Sequence, residues 1–442
     1  MITKPEVKSK ILRKIDDKKD EIVRFLQDLV KVPSPSGEEG KAQDIVAKKL
    51  REIPNLEIDI WEPSLEELAK YPLHPLRLTQ WSYKNRPNVV GTLKGSGNGA
   101  SLILNGHIDV VSPEPVKAWK CDPWSAKVEE GKLYGRGAVD MKGGVAAMTY
   151  AVLSILDAGI KLKGRVILES VVEEEYGGGG TIATLLRGYR ADAAIVTEGT
   201  GSQEVCMGAG GSRFFTVNVL GRSEVAHRAH LGVNAITLAS GLCDALLELN
   251  ESRVRRLRGK HALFEKKEIK SQLGTGRPTS LTLGILRAGD WPSTVAGWAE
   301  IQGRVGFPPS EKGEDVEEEI EETISKKAGQ DLWMKDHPPA VQWWGPRKEG
   351  YVLNVDDPIV TKVKDCVEEV TGRKCELYAT PTNSDVNYLV PRVGAHGGIP
   401  AIMYGPGGAN LHGANEYVVI EEVLTVAKVL SLAILQWCGY EL

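Results

Sequence analysis

The sequence RVILESVVEEEYGGGG (residues 165–180) joins a buried-type strand to three consecutive acids and four glycines. The apolar run predicts a strand over Arg165–Val172, and the glycines predict a tight turn after it. Acid runs usually lie on solvated faces, but the strands of an α/β sheet end at the crevice where such sheets bind ligands. A phosphate loop is disfavoured, because no Lys-Ser or Lys-Thr follows the glycines and no GxGxxG pattern opens a helix there.

Segments on both sides of this stretch alternate between strand-like and helix-like patterns. The predicted strands are Leu56–Trp61, Asn88–Leu93, Ser101–Asn105, Arg165–Val172 and Asp192–Thr197, and the predicted helices are Ile11–Val30, Lys41–Ile53, Gly144–Asp157 and Thr181–Arg187. Such alternation is typical of an α/β fold with a largely parallel sheet.

Residues 211–327 show a different pattern, in the order strand, helix, strand, strand, helix. That order indicates a small α+β unit with an antiparallel sheet. We therefore expect a discontinuous α/β/α domain of residues 1–210 and 328–442, with residues 211–327 inserted into it. Two stretches fit neither pattern: Pro63–Pro87 is predicted to be a surface excursion, and Arg253–Lys260 either a solvated basic face or an anion-binding patch.

The composition disfavours several classes of protein. The 442 residues carry 55 basic and 59 acidic side chains, a net charge of −4, which argues against a nucleic-acid partner. Hydrophobic content of 42% and charged content of 26% are ordinary globular values. The most apolar stretch, Val418–Tyr440, contains charged residues and predicts a buried or amphipathic helix rather than a membrane span. The charged N-terminus and the six cysteines without a CxxC pair favour a cytoplasmic protein with reduced thiols.

Two further motifs place polar side chains at predicted strand ends. In LILNGHIDVV (residues 102–111), His107 and Asp109 point the same way if the backbone is extended. An imidazole beside a carboxylate suits zinc ligation, although an ordinary polar strand end has the same pattern. In LYGRGAVDMKGG (residues 133–144), Asp140 precedes a predicted helix and fits either an N-cap or a metal ligand.

Two more candidates occupy similar places, Glu198 in AAIVTEGT (residues 193–200) and His412 in GPGGANLHGANE (residues 405–416). The full set at strand ends or in the following Gly-rich loops is His107, Asp140, Glu175, Glu198 and His412. Two imidazoles and three carboxylates can hold two metal ions about 3.5–4 Å apart, with one carboxylate bridging them. Oxygen and imidazole ligands favour zinc, cobalt or manganese.

These motifs, in this order, resemble the family of dimetal aminoacylases, acetylornithine deacetylases, succinyl-diaminopimelate desuccinylases and glutamate carboxypeptidases. The resemblance covers almost the whole chain and rests on NGHIDVV, GRGAVDMKGG, EEEYGG, VTEGT and GPGGANLHGANE. It implies a metallopeptidase-type α/β domain with an inserted lid and dimerisation domain. It also implies two divalent metal ions, zinc first and then cobalt or manganese.

The resemblance implies a role for each matched residue. The metal ligands would be His107, Asp140, Glu175, Glu198 and His412, with Asp140 bridging and followed by a cis peptide bond. Asp109 would orient His107, and Glu174 would be the general base.

In the inserted unit the match is looser. GRSEVAHRAHLGVNA (residues 221–235) contains His227 and His230, and the resemblance favours His227 as the oxyanion-stabilising histidine, often supplied by the partner subunit of a homodimer. Arg304 in QGRVGFPP matches a lid arginine that meets a substrate carboxylate. Asn387 stands where many members place a substrate-binding arginine.

The resemblance implies hydrolysis of the amide bond of a small N-acyl amino acid, with acetylornithine deacetylase-like activity first. The alternatives on the same scaffold are a succinyl-diaminopimelate desuccinylase, an aminoacylase, and a dipeptidase or carboxypeptidase. A non-catalytic binding protein is disfavoured by the complete ligand set, and a nicotinamide oxidoreductase by the missing dinucleotide fingerprint. We expect neither a nucleic-acid nor a membrane partner.

Overall fold

The computed structural model describes residues 3–71, 82–266, 269–391 and 396–441, and nine strands in these ranges form one mixed sheet. In spatial order they are Leu56–Trp61, Asn88–Leu93, Val166–Val171, Leu102–His107, Ala193–Val196, Ala401–Met403, Glu204–Ala209 and Tyr351–Val352, with Glu376–Thr380 also pairing with Glu204–Ala209. The four strands from Val166–Val171 to Ala401–Met403 run parallel. The predicted α/β fold with a parallel central sheet is therefore confirmed.

Helices cover the sheet, and Leu102–His107 and Val166–Val171 are buried along their whole length, as expected when both faces are covered. The helices of this unit are Pro5–Asp17, Lys19–Lys31, Gly40–Arg51, Gly143–Asp157, Gly179–Leu186, Pro358–Thr371 and Ile420–Cys438. The single helix predicted over Ile11–Val30 is in fact two, because the chain leaves helical geometry at Lys18.

One described stretch, Ala138–Asp157, is long and apolar enough to cross a membrane, but 94% of it is buried inside the protein.

A second sheet is antiparallel and has its own hydrophobic core. In spatial order its strands are Ser280–Ala288, Trp298–Phe307, Gly211–Leu220 and Ala340–Lys348, and the helices Ala235–Leu257 and Gly313–Ala328 pack against it. The fourth strand was not predicted, and it hydrogen-bonds to Gly211–Leu220. The inserted unit therefore extends beyond the boundary predicted at residue 327.

Short elements complete the described part of the chain. They are Leu65–Leu68, Val116–Ala118, Lys127–Glu129, Lys132–Tyr134, Ala138–Lys142, Lys161–Leu162, Ala226–Leu231, Leu332–Asp336, Val386–Leu389, Gly408–Ala409, Tyr417–Val419 and Tyr440–Glu441. In the predicted excursion Pro63–Pro87, residues 72–81 lie outside the described ranges. All six cysteines are free thiols.

The basic stretch Arg253–Lys260 is not a uniform solvated face. Arg253 is fully buried and forms ion pairs with Glu311, at 2.5 Å, and with Glu319. Arg256 pairs with the same two carboxylates. These two guanidinium groups therefore join helix Ala235–Leu257 to the segment around helix Gly313–Ala328.

Candidate metal centre

The five predicted ligands converge at the carboxyl edge of the central sheet. His107 ends one parallel strand, Glu198 follows a second, and Glu175 follows a third. Asp140 lies in the turn before helix Gly143–Asp157, and His412 lies in the loop between Gly408–Ala409 and Tyr417–Val419. The carboxyl ends of parallel strands meet at one edge of a sheet, which is why residues so distant in sequence come together.

These side chains form two groups of three that share Asp140. In the first group, ligand atoms of His107, Asp140 and Glu198 lie within 4.8 Å of one another, and His107 Nε2 is 3.2 Å from Asp140 Oδ1. In the second group, His412 Nε2 is 3.2 Å from Asp140 Oδ2 and 3.0 Å from Glu175 Oε2. Each oxygen of Asp140 faces a different histidine, which is the arrangement that a bridging carboxylate requires.

The charges of this cluster fit divalent cations. Burial, with the nearby charge of Asp140, raises the pKa of Glu175 to about 7 and holds the pKa of Glu198 well above its usual range. Burial would also raise the pKa of Asp140, but its hydrogen bonds to His107 and His412 outweigh burial and lower it. Three carboxylates crowded together in a buried place repel one another, and two divalent cations would relieve that repulsion.

The loop that carries Asp140 is held by hydrogen bonds to Glu416, whose carboxylate is fully buried. It accepts hydrogen bonds from the peptide N–H groups of Gly137 (3.0 Å), Val139 (3.0 Å) and Asp140 (3.2 Å). Arg136 Nη1 donates to the same carboxylate at 2.6 Å. The peptide bond between Asp140 and Met141 is cis, as predicted. Sequence analysis missed Glu416, although it stands four residues after His412 in the same motif.

Asp109 differs from its predicted role. The ring of His107 hydrogen-bonds through Nδ1 to the backbone carbonyl of Asp109 at 2.9 Å, whereas the Asp109 carboxylate lies 3.6 Å away. That carboxylate instead accepts the peptide N–H groups of Glu174 (3.0 Å) and Glu175 (3.1 Å) and the hydroxyl of Ser36 (2.6 Å). Asp109 therefore orients His107 through its main-chain carbonyl. Through its side chain it holds the turn that carries Glu174 and Glu175.

Glu174 belongs to neither group of three ligands, although it lines the same cavity. Its Oε1 lies 3.4 Å from Nζ of Lys348, a side chain that is almost completely buried. Lys348 is the last residue of strand Ala340–Lys348, which belongs to the inserted unit. The inserted unit therefore places a positively charged side chain next to Glu174. No sequence signal identified Lys348, because the strand that carries it was not predicted.

The cluster opens into a cavity of about 260 Å³. Besides four of the five ligands and Glu174, its lining consists of Gln272, Leu273, Thr275, Thr382, Asn383, Ser384, Met403 and Leu411. None of the described lining residues is a lysine or an arginine. The volume lies just below the about 300–1,000 Å³ typical of drug-sized ligands, which indicates a small substrate.

One wall of the cavity is supplied by residues 269–277, which we call the crossing segment and which lead from helix Ala235–Leu257 toward strand Ser280–Ala288. The carboxylate of Glu204, on the central sheet, accepts the peptide N–H groups of Lys270 (2.7 Å) and Ser271 (2.9 Å). Gln272 accepts the N–H of Leu411, next to His412, at 2.9 Å. The crossing segment is thus fastened to the α/β domain at two places.

Two predicted residues of the inserted unit lie away from the cluster in this single chain. His227 is exposed in the turn Ala226–Leu231, and in the described ranges no hydrogen bond or ion pair joins it to the ligands. Arg304 does not line the cavity. Its guanidinium lies 5.9 Å from the ring centre of Phe214, its Nη2 has no hydrogen-bond partner, and burial lowers its pKa to about 10.

The prediction that Asn387 binds substrate is not supported. Its side-chain amide is fully buried and donates to the carbonyl oxygens of Gly210 (3.0 Å) and Glu349 (2.8 Å). Its Oδ1 accepts the N–H of Ser384 at 3.1 Å. Because both amide hydrogens are used within the protein, Asn387 joins three segments of the main chain and has no donor left for a ligand.

Fold and site together define a metal-dependent hydrolase of amide bonds. Residues 103–436 match the family described as Peptidase family M20/M25/M40, and the chain belongs to that family, as its motifs indicated.

Three known proteins extend this comparison. Relatives from Halalkalibacterium halodurans and Bacillus subtilis are both named N-formyl-4-amino-5-aminomethyl-2-methylpyrimidine deformylase. The first is 29% identical over 98% of each chain, and the second is 30% identical over 97% of each chain. A solved structure from Bacillus subtilis, a dinuclear metal-binding peptidase of the M20 family, has a TM-score of 0.62 at 14% identity and covers 96% of this chain and 99% of its own. At that identity the likeness shows the fold alone.

Proposed function

We propose that this hydrolase removes a small acyl group, formyl first among them, from an amine carried by a nitrogen heterocycle. The observation that carries the proposal is the small cavity whose described lining includes no cationic lysine or arginine to pair with a substrate carboxylate. The names of the two bacterial relatives support the same class of substrate. An N-acyl amino acid such as acetylornithine, which the motifs placed first, is the second candidate, because Arg304 keeps an unpaired guanidinium nitrogen outside the cavity.

In the proposed mechanism, His107, Asp140 and Glu198 would hold one divalent ion, and Asp140, Glu175 and His412 the other. Zinc fits this donor set first, followed by cobalt or manganese. Two such ions supply a water of lowered pKa and polarise the scissile carbonyl.

The remaining steps belong to the chain's own residues. Glu174 takes the proton of the attacking water and passes it to the leaving amine as the C–N bond breaks. Asp109 keeps Glu174 in place by holding its peptide N–H at 3.0 Å. Lys348, whose Nζ lies 3.4 Å from Glu174 Oε1, helps to position that side chain.

A hydrolysis screen with zinc-loaded protein tests the proposal. The substrates are the N-formyl aminomethylpyrimidine named for the relatives, N-acetylornithine, N-succinyl-diaminopimelate, an N-acetyl amino acid and a dipeptide. We expect the formyl compound to give the highest kcat/KM. A higher kcat/KM for any carboxylate-bearing substrate would reject the heterocyclic class in favour of the class to which that substrate belongs.

We further propose that the protein is a homodimer formed through the inserted unit. Several large apolar side chains on this unit are exposed, including Leu286 (55%) and Trp291 (67%). Leu286 lies on Ser280–Ala288, an edge strand of the described sheet, and exposed edges favour pairing with another chain. The exposed turn that carries His227 is hydrogen-bonded to the Trp291 loop, since Ala226 N–H donates to the carbonyl of Ser293 at 3.0 Å.

We expect light scattering at micromolar concentration to show a dimer, and Leu286→Asp to shift it toward monomer, because a charge would be buried at the interface. Leu332→Asp is the matched control, since Leu332 is 84% exposed and lies near the opposite edge of the same sheet. A fully active monomer would contradict both the dimer and a partner-supplied His227.

A further inference from the structure

Asn383 stands out in the loop between strand Glu376–Thr380 and helix Val386–Leu389. It lines the cavity that contains the metal-ligand cluster. Its amide nitrogen Nδ2 is buried and has no hydrogen-bond partner. Asn387, four residues later, uses both of its amide hydrogens on backbone carbonyls. The two asparagines therefore differ in role. Asn387 hydrogen-bonds within the protein, whereas Asn383 has a donor that no protein atom uses.

A buried N–H group without a partner is rare in folded proteins, because it has lost water and gained nothing in exchange. Such a group in a ligand cavity is expected to be completed by the ligand. The ligand atom that faces Asn383 must be a hydrogen-bond acceptor, since the Asn383 Nδ2 atom can only donate.

The surroundings of Asn383 restrict the ligand further. Leu273, Leu411 and Met403 give the cavity apolar surface, and Thr382 adds a hydroxyl next to Asn383. The described lining contains no lysine or arginine, so it offers no ammonium or guanidinium group to pair with an anionic part of the ligand. A flat, uncharged ring with a nitrogen acceptor satisfies both conditions.

We propose that Asn383 Nδ2 donates a hydrogen bond to a ring nitrogen of the substrate's heteroaromatic amine, and that this bond selects heteroaromatic over carbocyclic amines. This inference rests on the proposed function for the class of substrate. It assigns the specificity to one donor atom.

The test measures binding of two free amines to zinc-loaded protein by calorimetry, so it does not depend on turnover. One amine is 4-amino-5-aminomethyl-2-methylpyrimidine, and the other is 2-aminobenzylamine, which keeps both amino groups but lacks ring nitrogens. We expect the wild type to bind the pyrimidine more tightly. Asn383→Leu should weaken pyrimidine binding about tenfold, as one buried hydrogen bond predicts, and leave 2-aminobenzylamine within about twofold.

Stability separates a binding role from a structural one. Leucine has nearly the shape of asparagine and removes the unpaired donor, so the Tm of Asn383→Leu without ligand should equal or exceed that of the wild type. Asn383→Ala serves as a second variant if the leucine variant does not fold. Asn354→Leu is the matched control, because Asn354 is exposed and lies outside the cavity lining.

Each result decides the proposal. Selective loss of pyrimidine binding in the Asn383 variants, with the Asn354 variant unchanged, supports it. Equal loss of both amines, no loss, or no preference in the wild type overturns it. If the wild type shows the predicted binding but hydrolyses only N-acyl amino acids, the proposed function fails while the Asn383 assignment stands. If the wild type deformylates the N-formyl pyrimidine and the Asn383 variants keep full selectivity, the Asn383 assignment fails while the proposed function stands.

Discussion

Glu174→Gln is expected to lower kcat by about 10²–10⁴-fold while the protein keeps its full metal content. Glu174 lines the cavity but belongs to neither group of three ligands. Glutamine has almost the same shape and cannot take a proton from water, so the change removes proton transfer and little else. Metal content is measured by elemental analysis of the same samples that are used for kinetics.

Glu175→Gln is the matched control for that variant, because it makes the same chemical change one residue later. Glu175 lies 3.0 Å from His412 in the second ligand group, so its substitution should lower both the metal content and the activity. If Glu174→Gln loses as much metal as Glu175→Gln, the two roles have been assigned in the wrong order.

Asp140→Ala is expected to remove both metals and abolish hydrolysis. Asp140 is the residue common to the two ligand groups, with one oxygen 3.2 Å from each histidine. The loop itself should survive, because Glu416 holds the peptide N–H groups of Gly137, Val139 and Asp140 and not the Asp140 side chain.

Glu198→Ala provides the comparison, since Glu198 belongs to one group alone. We expect it to retain about one metal per chain when Asp140→Ala retains none. The measurement is the metal-to-protein ratio after gel filtration, together with circular dichroism to check the fold. Two metals retained by Asp140→Ala would show that the carboxylate is not a bridge.

Part of the ligand cluster was predictable because His107, Glu175 and Glu198 come at or just after the ends of strands whose apolar runs are easy to recognise. Asp140 and His412 lie in loops and were predicted from their Gly-rich motifs. His107 and Glu198 follow such runs directly, and parallel strands bring their ends together whatever the distance in sequence. The inserted unit was harder, since AVQWWGPRK (residues 340–348) contains a glycine and a proline and does not alternate cleanly. Missing that strand also concealed Lys348.

Partners distant in sequence were unpredictable for a related reason. Asn387 looked available for substrate, but its amide bonds to Gly210, which is 177 residues away, and to Glu349. Only the folded backbone shows that these two carbonyls meet there. Asn383 gave no sequence signal either, because its significance is the lack of a partner in a place where most polar atoms have one.

The crossing segment has a consequence for how this family diversifies. Gln272, Leu273 and Thr275 form part of the cavity wall, yet the segment carries none of the five candidate metal ligands. Its attachment through Glu204 uses peptide N–H groups, which every residue except proline possesses. Side chains that only line the cavity, such as those of Leu273 and Thr275, can therefore change without loosening this attachment. Gln272 is the exception, because its side chain accepts the N–H of Leu411 beside His412. New substrate ranges can arise on an inherited reaction centre by changes in one short loop.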